Sequence, residues 1–324
     1  MSKAIRFHKA GGPEVLVYED VEVGSPGPGQ ARVRNKVIGL NFIDTYHRSG
    51  LYPLPLPHGV GMEASGIVEA VGGGVTAVSP GDRVAYCAGP PGAYSEERLI
   101  AADRLVKLPN GVLDEEAAAM MLKGLTVWYL THKTYRVEAG ETVLFHAAAG
   151  GVGLIACQWL KALGATVIGT VGSNEKAEIA KAHGCDHTIV YTRENFTDRV
   201  LEITDGQKVP VVFDSVGKDT FRGSLACLKP RGLMCVFGNG SGPVEALDIN
   251  DLAPAGSLYV TRPTLMTYTA ARDDLVEGAN ALLSMVESGK IKIDIHQTYS
   301  LSDAAQAHRD LEARKTTGST ILLP

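Results

Sequence analysis

A glycine-rich turn between two apolar segments constrains the fold more than any other feature of this sequence. The turn AAAGGVG, residues 147–153, follows the strand-like TVLFH and opens the helix-like VGLIACQWLKALG. In its A-x-G-x-x-G pattern, Ala148 takes the tight-turn position, Gly150 allows close approach of a pyrophosphate, and Gly153 allows the helix to pack on the strand. A helix N-terminus also attracts phosphate through its free N–H groups and its dipole. The pattern predicts a dinucleotide site; the alternative is a turn that only connects two elements.

Strands and helices alternate on both sides of this turn. Strands are predicted at 142–147, 165–171, 187–192, 209–217 and 232–238, and helices at 152–164 and 174–184. Alternation of this kind is typical of an α/β fold with a doubly wound parallel sheet, the Rossmann arrangement.

The first third of the sequence has a different pattern, with short strands separated by glycine and proline turns. KAIRF, QARVRNKVIGL, SGIVEAV and DRVAYC predict a small β-rich unit. Two helical segments and the strand-like STILLP end the sequence, and we expect this tail to return to the first unit. The predicted division is residues 1–124 with 263–324 for the β-rich domain, and 125–262 for the Rossmann domain.

Charge and cysteine usage exclude several classes of protein. A formal charge of −5 argues against a general nucleic-acid surface, and five cysteines without a CxxC argue against a disulfide framework or a zinc lobe. The N-terminus lacks the apolar region of a signal peptide. Residues 142–160 carry no charge, but glycines interrupt them, so a membrane span is rejected. These features predict a cytoplasmic protein.

The end of the second predicted strand bears on the choice of dinucleotide. An NAD site usually has an acid there for the ribose 2′-OH, whereas this strand ends in Val171-Gly172-Ser173. Ser173, Lys176 and Tyr191 are candidates for binding a 2′-phosphate, although Glu175 weakens the case slightly and Lys176 has the alternative of a solvated lysine. The sequence therefore favours NADPH.

Several longer motifs carry a resemblance to a known family. NFIDTYHRSGLYP (41–53), PGDRVAY (80–86), DSVG (214–217), FGNGSG (237–242) and YVTRP (259–263) accompany the glycine turn. Together they resemble the quinone oxidoreductase branch, which includes zeta-crystallin, of the medium-chain dehydrogenase/reductase superfamily. In that family the β-rich domain is GroES-like. The resemblance extends over essentially the whole sequence and implies a cytosolic, NADPH-dependent homodimer.

The resemblance also implies roles for individual residues. The residues expected to line the cleft by the nicotinamide are Asn41, Asp44, Tyr46 and Tyr52, and those expected on the nicotinamide side of the second domain are Phe237, Gly238, Ser241 and Arg262. The residues expected over the pyrophosphate are Gly150, Gly151 and Val152, and those expected around the 2′-phosphate are Ser173, Lys176, Tyr191 and Arg314. Lys123 and Thr126 are expected near the domain junction and the cofactor. From composition alone, 41–53 has the alternative of a polar surface loop. Tyr46 and Tyr52 meet only if this segment folds back on itself.

Zinc is not expected, although a related branch of the superfamily uses it. That branch has GHE where this sequence has Gly61-Met62-Glu63, and a thioether is a poor zinc ligand. GLNFID also lacks the branch's first cysteine, and His58 has no placed partners.

The expected loss of zinc bears on the substrate. Reducing a ketone forms an alkoxide whose conjugate acid has a pKa near ~16. Reducing a quinone forms a phenolate-like anion whose conjugate acid has a pKa of roughly 10. The protein therefore has to supply about 8 kcal/mol less stabilisation to this anion than to an alkoxide. This favours an NADPH:quinone oxidoreductase. The alternatives are an enone or alkenal reductase and a non-catalytic NADPH-binding protein with an RNA-binding or structural role. With tyrosines as donors, we expect activity to be flat from about pH 6 to 8.5.

Overall fold

Two units make up the molecule, and the computed structural model describes all of its residues, Met1–Pro324. The first unit contains Met1–Leu125 and Tyr268–Pro324, and the second contains Thr126–Thr267. The predicted domain boundaries, after residues 124 and 262, stay a prediction.

Sixteen strands and nine α-helices form the two units. The strands are β1 Ser2–Phe7, β2 Leu16–Val21, β3 Gln30–Leu40, β4 His58–Gly59, β5 Glu63–Val71, β6 Arg83–Tyr86, β7 Glu97–Ala101, β8 Val106–Lys107, β9 Thr142–Phe145, β10 Thr166–Val171, β11 His187–Val190, β12 Val209–Asp214, β13 Leu228–Val236, β14 Tyr259–Thr261, β15 Ile295–Ser300 and β16 Ser319–Leu323. The helices are α1 Phe42–Ser49, α2 Asp114–Trp128, α3 Gly151–Ala162, α4 Asn174–Ala182, α5 Phe196–Ile203, α6 Phe221–Ala226, α7 Leu265–Tyr268, α8 Arg272–Glu287 and α9 Ala304–Glu312.

The second unit is built on a six-stranded sheet in the order β11-β10-β9-β12-β13-β14. Every neighbouring pair in this sheet is parallel, which confirms the predicted doubly wound fold. Its core includes Leu144, Ile168, Val212 and Met234, all fully buried. The strands lack polar alternation because helices cover both faces of such a sheet. Tyr259–Thr261, which none of the five predicted strands includes, form a sixth strand at the edge of this sheet.

The first unit is β-rich, as predicted, with a three-stranded sheet and a seven-stranded sheet. The larger sheet runs in the order β15-β16-β3-β5-β6-β8, and β7 also pairs with β3. The last strand, β16, lies antiparallel to β3 with Ile321 opposite Gly39, and parallel to β15. The predicted return of the tail to the first unit is therefore confirmed.

Two helical regions were not predicted. The segment after Asn41, for which a surface loop was the open alternative, forms α1. The apolar segment before the glycine turn forms α2, which continues as a π-helix over Tyr129–Thr134. Gly124 allows α2 to pack closely on α8, because a Cβ there would lie 2.5 Å from the side chain of Leu282. No helix in the protein combines the length and the apolar character that crossing a membrane requires.

Candidate functional site

The segment Asn41–Pro53 places its polar groups around the start of α1. Asn41 directly follows β3 in an extended conformation, and the Oδ2 atom of Asp44 accepts a hydrogen bond from the Asn41 backbone N–H at 2.9 Å. Gly50 ends the helix with a φ of 82°. Asp44 is fully buried, so its carboxylate holds the helix start inside the unit. Its predicted place beside a nicotinamide stays a prediction.

A buried ion pair fixes the side chain of Asn41. Glu63, at the start of β5, is fully buried; its Oε2 atom accepts from Asn41 Nδ2 at 2.7 Å and lies 3.3 Å from Lys123 Nζ. Its Oε1 atom accepts from the backbone N–H of Leu122 at 2.7 Å. These donors compensate the burial of the carboxylate. The arrangement also needs Gly39, where a Cβ would lie 2.4 Å from Glu63 Oε2.

Glu63 is the site residue that the sequence analysis missed. In Gly61-Met62-Glu63, attention falls first on Met62, which stands where a zinc-binding histidine would be. The available signal was a carboxylate at the first position of the apolar strand EASGIVEAV. A charge at such a position requires a partner, and Lys123 had been singled out for a different reason.

Burial perturbs the ionisation of two groups on α1. It raises the pKa of Asp44 to about 7, and the negative charge of Glu63 adds to the effect, while hydrogen bonds from the Asn41 backbone and the Tyr94 hydroxyl oppose it. The Oδ1 atom of Asp44 is buried without a hydrogen-bond partner. Burial, with a smaller contribution from His58, lowers the pKa of His47 to about 4. His47 is therefore neutral near pH 7, and Asp44 is the group that titrates there.

The two tyrosines of this segment lie against each other. The ring centroids of Tyr46 and Tyr52 are 5.3 Å apart in an edge-to-face arrangement, and the backbone N–H of Tyr52 donates to the Tyr46 carbonyl at 3.0 Å. Phe42 and His47 flank the pair, at 6.4 Å from Tyr46 and 6.1 Å from Tyr52 respectively. Both tyrosines are half-buried. The segment thus folds back on itself and brings the two tyrosine rings into contact.

In the second unit, the glycine turn has the predicted form. Gly150 precedes the first residue of α3 in an extended conformation, and Ala148 is fully buried. A Cβ on Gly153 would lie 2.3 Å from the carbonyl oxygen of Ala147, so only glycine allows the helix to pack this closely. The helix start at Gly151 and Val152 presents backbone N–H groups that no earlier turn uses. These residues fit a bound pyrophosphate.

The end of β10 carries the residues predicted to select the cofactor. No acid lies between Val171 and Ser173, and the Ser173 hydroxyl oxygen accepts from the Lys176 backbone N–H at 3.3 Å to cap α4. Tyr191 is 39% exposed, and its hydroxyl lies 3.0 Å from the Cβ position of Gly172. The structure therefore brings Tyr191 beside this strand end.

Two charged residues complete this region. A hydrogen bond from Ser173 lowers the pKa of Glu175, followed by smaller effects that include the positive charge of Arg193. One acid thus accompanies the cations, as the sequence analysis allowed. Arg193 is exposed, and its place after β11 gave no signal in the sequence. Arg314 is also exposed but belongs to the first unit, just after α9.

The remaining predicted residues of the second unit follow β13 and β14. The Ser241 hydroxyl donates to the Val216 carbonyl at 2.9 Å, and Arg262 donates to the Val236 carbonyl at 3.2 Å. Phe237 packs on Phe145 with ring centroids 5.8 Å apart. These side chains hold the loops at the carboxyl end of the sheet, where ligands bind in folds of this type. Gly238 lies in the same loops, and Thr126 is buried at the start of the unit.

The segment Gly61-Met62-Glu63 contains no histidine or cysteine. Met62 is buried between Gly61 and Glu63, and no group of three His, Cys, Asp or Glu side chains is placed to hold a metal ion. The Nδ1 atom of His58 lies 2.8 Å from the Gly59 carbonyl.

Comparison with known proteins gives two family matches. The family described as Zinc-binding dehydrogenase matches residues 151–283, and the family described as Alcohol dehydrogenase GroES-like domain matches residues 27–110. The first match begins at the glycine turn and includes most of the second unit. The second lies within the β-rich unit.

Relatives that match over the full length of the chain identify the branch of the family more closely. A Pseudomonas aeruginosa protein named quinone oxidoreductase is 58% identical over 325 residues, with 100% of both chains covered. The structure is similar to that of Escherichia coli quinone oxidoreductase complexed with NADPH, with a TM-score of 0.98, 53% identity, and coverage of 99% of this chain and 100% of that one. A 2-haloacrylate reductase from a Burkholderia species is 48% identical over 332 residues, with 100% and 99% covered.

Proposed function

Since the chain belongs to the zinc-independent quinone oxidoreductase branch of the medium-chain dehydrogenase/reductase superfamily, we propose that it reduces a quinone with NADPH. The observation that carries this proposal is the full-length similarity to a quinone oxidoreductase complexed with NADPH, together with a glycine turn that fits a pyrophosphate. The enzyme is an oxidoreductase by family.

The residues at the end of β10 support the phosphorylated cofactor. A 2′-phosphate carries negative charge and several acceptor oxygens, which suit the hydroxyls of Ser173 and Tyr191 and the cations of Lys176 and Arg193. A carboxylate for the ribose 2′-OH is missing between Val171 and Ser173. The negative charge of Glu175 repels the phosphate, so the attraction of the phosphate to the cations must exceed this repulsion. The role of Arg314 stays a prediction from the family resemblance.

NADPH, when bound, would supply a hydride, and with one proton from solvent this would convert the quinone to the hydroquinone and leave NADP⁺. The residues of this chain have to bind the acceptor and stabilise its developing oxyanion. We assign this to the hydroxyls of Tyr46 and Tyr52 and the amide of Asn41.

The hydrogen bond from Asn41 Nδ2 to Glu63 suits this assignment. It fixes the orientation of the amide before the acceptor binds, and a donor that needs no reorganisation stabilises a developing charge most effectively. Lys123 Nζ lies 3.3 Å from Glu63 Oε2 and gives this buried acidic side chain a second partner.

A second candidate function is reduction of an activated carbon–carbon double bond. It is favoured by the 48% identity to a protein named 2-haloacrylate reductase. Hydride would then go to carbon and leave an enolate-like anion, which the same donors can stabilise.

A substrate panel separates these proposals. NADPH consumption is measured with 1,4-benzoquinone, with 2-chloroacrylate and with a simple ketone, with and without a chelator. We expect the quinone to be reduced fastest and the chelator to have no effect. Preference for 2-chloroacrylate would support the second function, and tight NADPH binding without turnover on any acceptor would support a non-catalytic role.

We also propose a homodimer formed along β14, in a cytoplasmic protein. This strand lies at the edge of its sheet, with Tyr259 62% exposed and Val260 36% exposed. An uncovered apolar edge is a surface on which a second copy can pair across a two-fold axis. A monomer in light scattering at micromolar concentration would contradict this assembly.

A further inference from the structure

A series of buried hydrogen bonds crosses the first unit and ends at Asn41. The Nη1 atom of Arg48 lies 3.2 Å from His308 Nδ1, and His308 Nε2 lies 3.2 Å from the hydroxyl of Tyr94. That hydroxyl donates to Asp44 Oδ2 at 3.0 Å, and the same oxygen accepts from the Asn41 backbone N–H. Every member is at most 5% exposed. We call Arg48, His308, Tyr94, Asp44 and Asn41 the buried hydrogen-bond series.

The direction of these hydrogen bonds is fixed by chemistry. A guanidinium only donates, so His308 Nδ1 must accept from Arg48 and the ring proton must lie on Nε2. His308 therefore donates to Tyr94, which leaves the tyrosine proton for Asp44. Burial, and then the charge of Arg48, lower the pKa of His308 to about 3, which keeps the ring neutral. All donors thus point toward the carboxylate of Asp44.

Both ends of the series are anchored. Arg48 binds Glu312 of α9 through two hydrogen bonds, of 2.6 Å and 3.0 Å, and donates from Nε to the Gly11 carbonyl. At the other end, the side chain of Asn41 donates to Glu63. The backbone of Asn41 is thus held through Asp44, and its amide is held through Glu63.

We propose that Tyr94 and His308 are positioning residues, which act through Asp44 to fix the start of α1 and so orient the Asn41 amide toward the acceptor. This rests on the proposed function, because Asn41 is assigned there as a donor to the oxyanion. Neither Tyr94 nor His308 needs to touch the substrate.

The surroundings of Asp44 explain why Tyr94 matters. The groups that act on the carboxylate are the Asn41 N–H, the Tyr94 hydroxyl, the charge of Glu63, which disfavours ionisation, and the charge of Lys123, which favours it. Without the hydroxyl, a fully buried carboxylate keeps one hydrogen bond to Oδ2 and none to Oδ1. It then binds a proton more readily and accepts more weakly from Asn41, so the start of the helix is less well held.

The first test compares Tyr94→Phe with Tyr86→Phe. Tyr86 is the matched control, because it is equally buried in the same unit and its hydroxyl donates to Asn35 Oδ1 at 2.9 Å, outside the series. With NADPH and 1,4-benzoquinone, we expect Tyr94→Phe to lower kcat about 5- to 30-fold, with the Kd for NADPH unchanged. Tyr86→Phe should change kcat by less than about twofold. Equal losses in the two variants would overturn the proposal.

A second readout does not depend on turnover. The carboxyl pKa of Asp44, followed by carbon NMR, should rise further in Tyr94→Phe and stay unchanged in Tyr86→Phe. If the wild type fails to reduce the quinone, the proposed function fails on that result alone. An unshifted carboxyl in Tyr94→Phe would instead show that the series does not reach Asp44.

The second test asks whether His308 acts through its hydrogen bonds. Glutamine offers an oxygen that can accept from Arg48 and an NH₂ that can donate to Tyr94, whereas leucine offers neither. We expect His308→Gln to keep kcat within about threefold of the wild type and His308→Leu to lose as much as Tyr94→Phe. The two variants should bind NADPH equally. Full activity in His308→Leu, or equal losses in the two variants, would contradict a positioning role.

Discussion

Replacing Asp44 by Asn should stabilise the protein more at pH 8 than at pH 5. The folded protein holds this carboxyl at a pKa of about 7, mainly because of burial, whereas an aspartate in an unfolded chain has a pKa near ~3.9. The folded state therefore binds the proton more tightly than the unfolded state. Stability from this group is fully present below the unfolded pKa and is lost as the pH rises toward 7.

The magnitude follows from the two pKa values. The complete penalty for ionising Asp44 in the folded protein is about 4 kcal/mol, the difference of roughly 3 pKa units converted at 1.36 kcal/mol each. About 1.5 kcal/mol of it is present at pH 5 and almost all of it at pH 8. Asparagine cannot ionise, so the stability of Asp44→Asn relative to the wild type should rise by about 2.5 kcal/mol between these pH values.

Urea titrations of the wild type and Asp44→Asn at both pH values measure this difference. Asp273→Asn is the control, because Asp273 is an exposed carboxylate of the same unit. Its effect should be the same at pH 5 and pH 8 to within about 0.5 kcal/mol. If Asp44→Asn also shifts stability equally at both pH values, the carboxyl is not protonated preferentially in the folded state and the account of its burial is wrong.

Three further predictions concern cofactor and turnover. Lys176→Ala should weaken NADPH binding by about 1–3 kcal/mol and leave NADH binding nearly unchanged; equal losses in titrations with the two cofactors would exclude a phosphate contact. Tyr52→Phe should lower kcat/KM by roughly 1–3 kcal/mol, or about 5- to 200-fold, without abolishing activity; unchanged steady-state kinetics would remove Tyr52 from the oxyanion donors. The value of kcat/KM should rise with pH through about pH 7, because Asp44 ionises there and becomes a stronger hydrogen-bond acceptor, and Asp44→Asn should remove this dependence. If kcat/KM of the wild type is instead constant from about pH 6 to 8.5, as expected from the tyrosines alone, the ionisation of Asp44 does not affect turnover.

The sequence predicted the fold where hydrophobic pattern and turn chemistry agree. The alternation around AAAGGVG predicted the parallel sheet, and the short strands between glycine turns predicted the β-rich unit. The pattern failed for α1, in which Asp44, Thr45, His47 and Arg48 are all buried. When polar side chains of a helix face the interior, the hydrophobic pattern predicts a surface loop, because polar residues are assumed to face water.

The missed α2 has the opposite cause. Its residues Ala117–Met121 are all buried, so no polar face marks its period. The same limit applies to the candidate site. The carboxylate of Glu63 accepts hydrogen bonds from Asn41 and Lys123, which lie 22 and 60 positions away in the sequence. It also occupies space that a side chain at Gly39 would fill. Pairing over such distances appears only after the strands are assembled.

The position of β16 in the larger sheet bears on the order in which the chain matures during synthesis. The second unit has all of its strands once Thr261 has been made, and its parallel sheet can assemble while translation continues. The first unit begins earlier but must wait for Ser319–Leu323, because this last strand fills the place between β3 and β15. Until then residues 38–40 of β3 lack their partner strand, whereas residues 30–34 already pair with β7, and an unpaired stretch of strand is the kind of surface that chaperones shield on the ribosome. The unit that starts first is therefore finished last, and a nascent chain cut a few residues short would lack an interior strand.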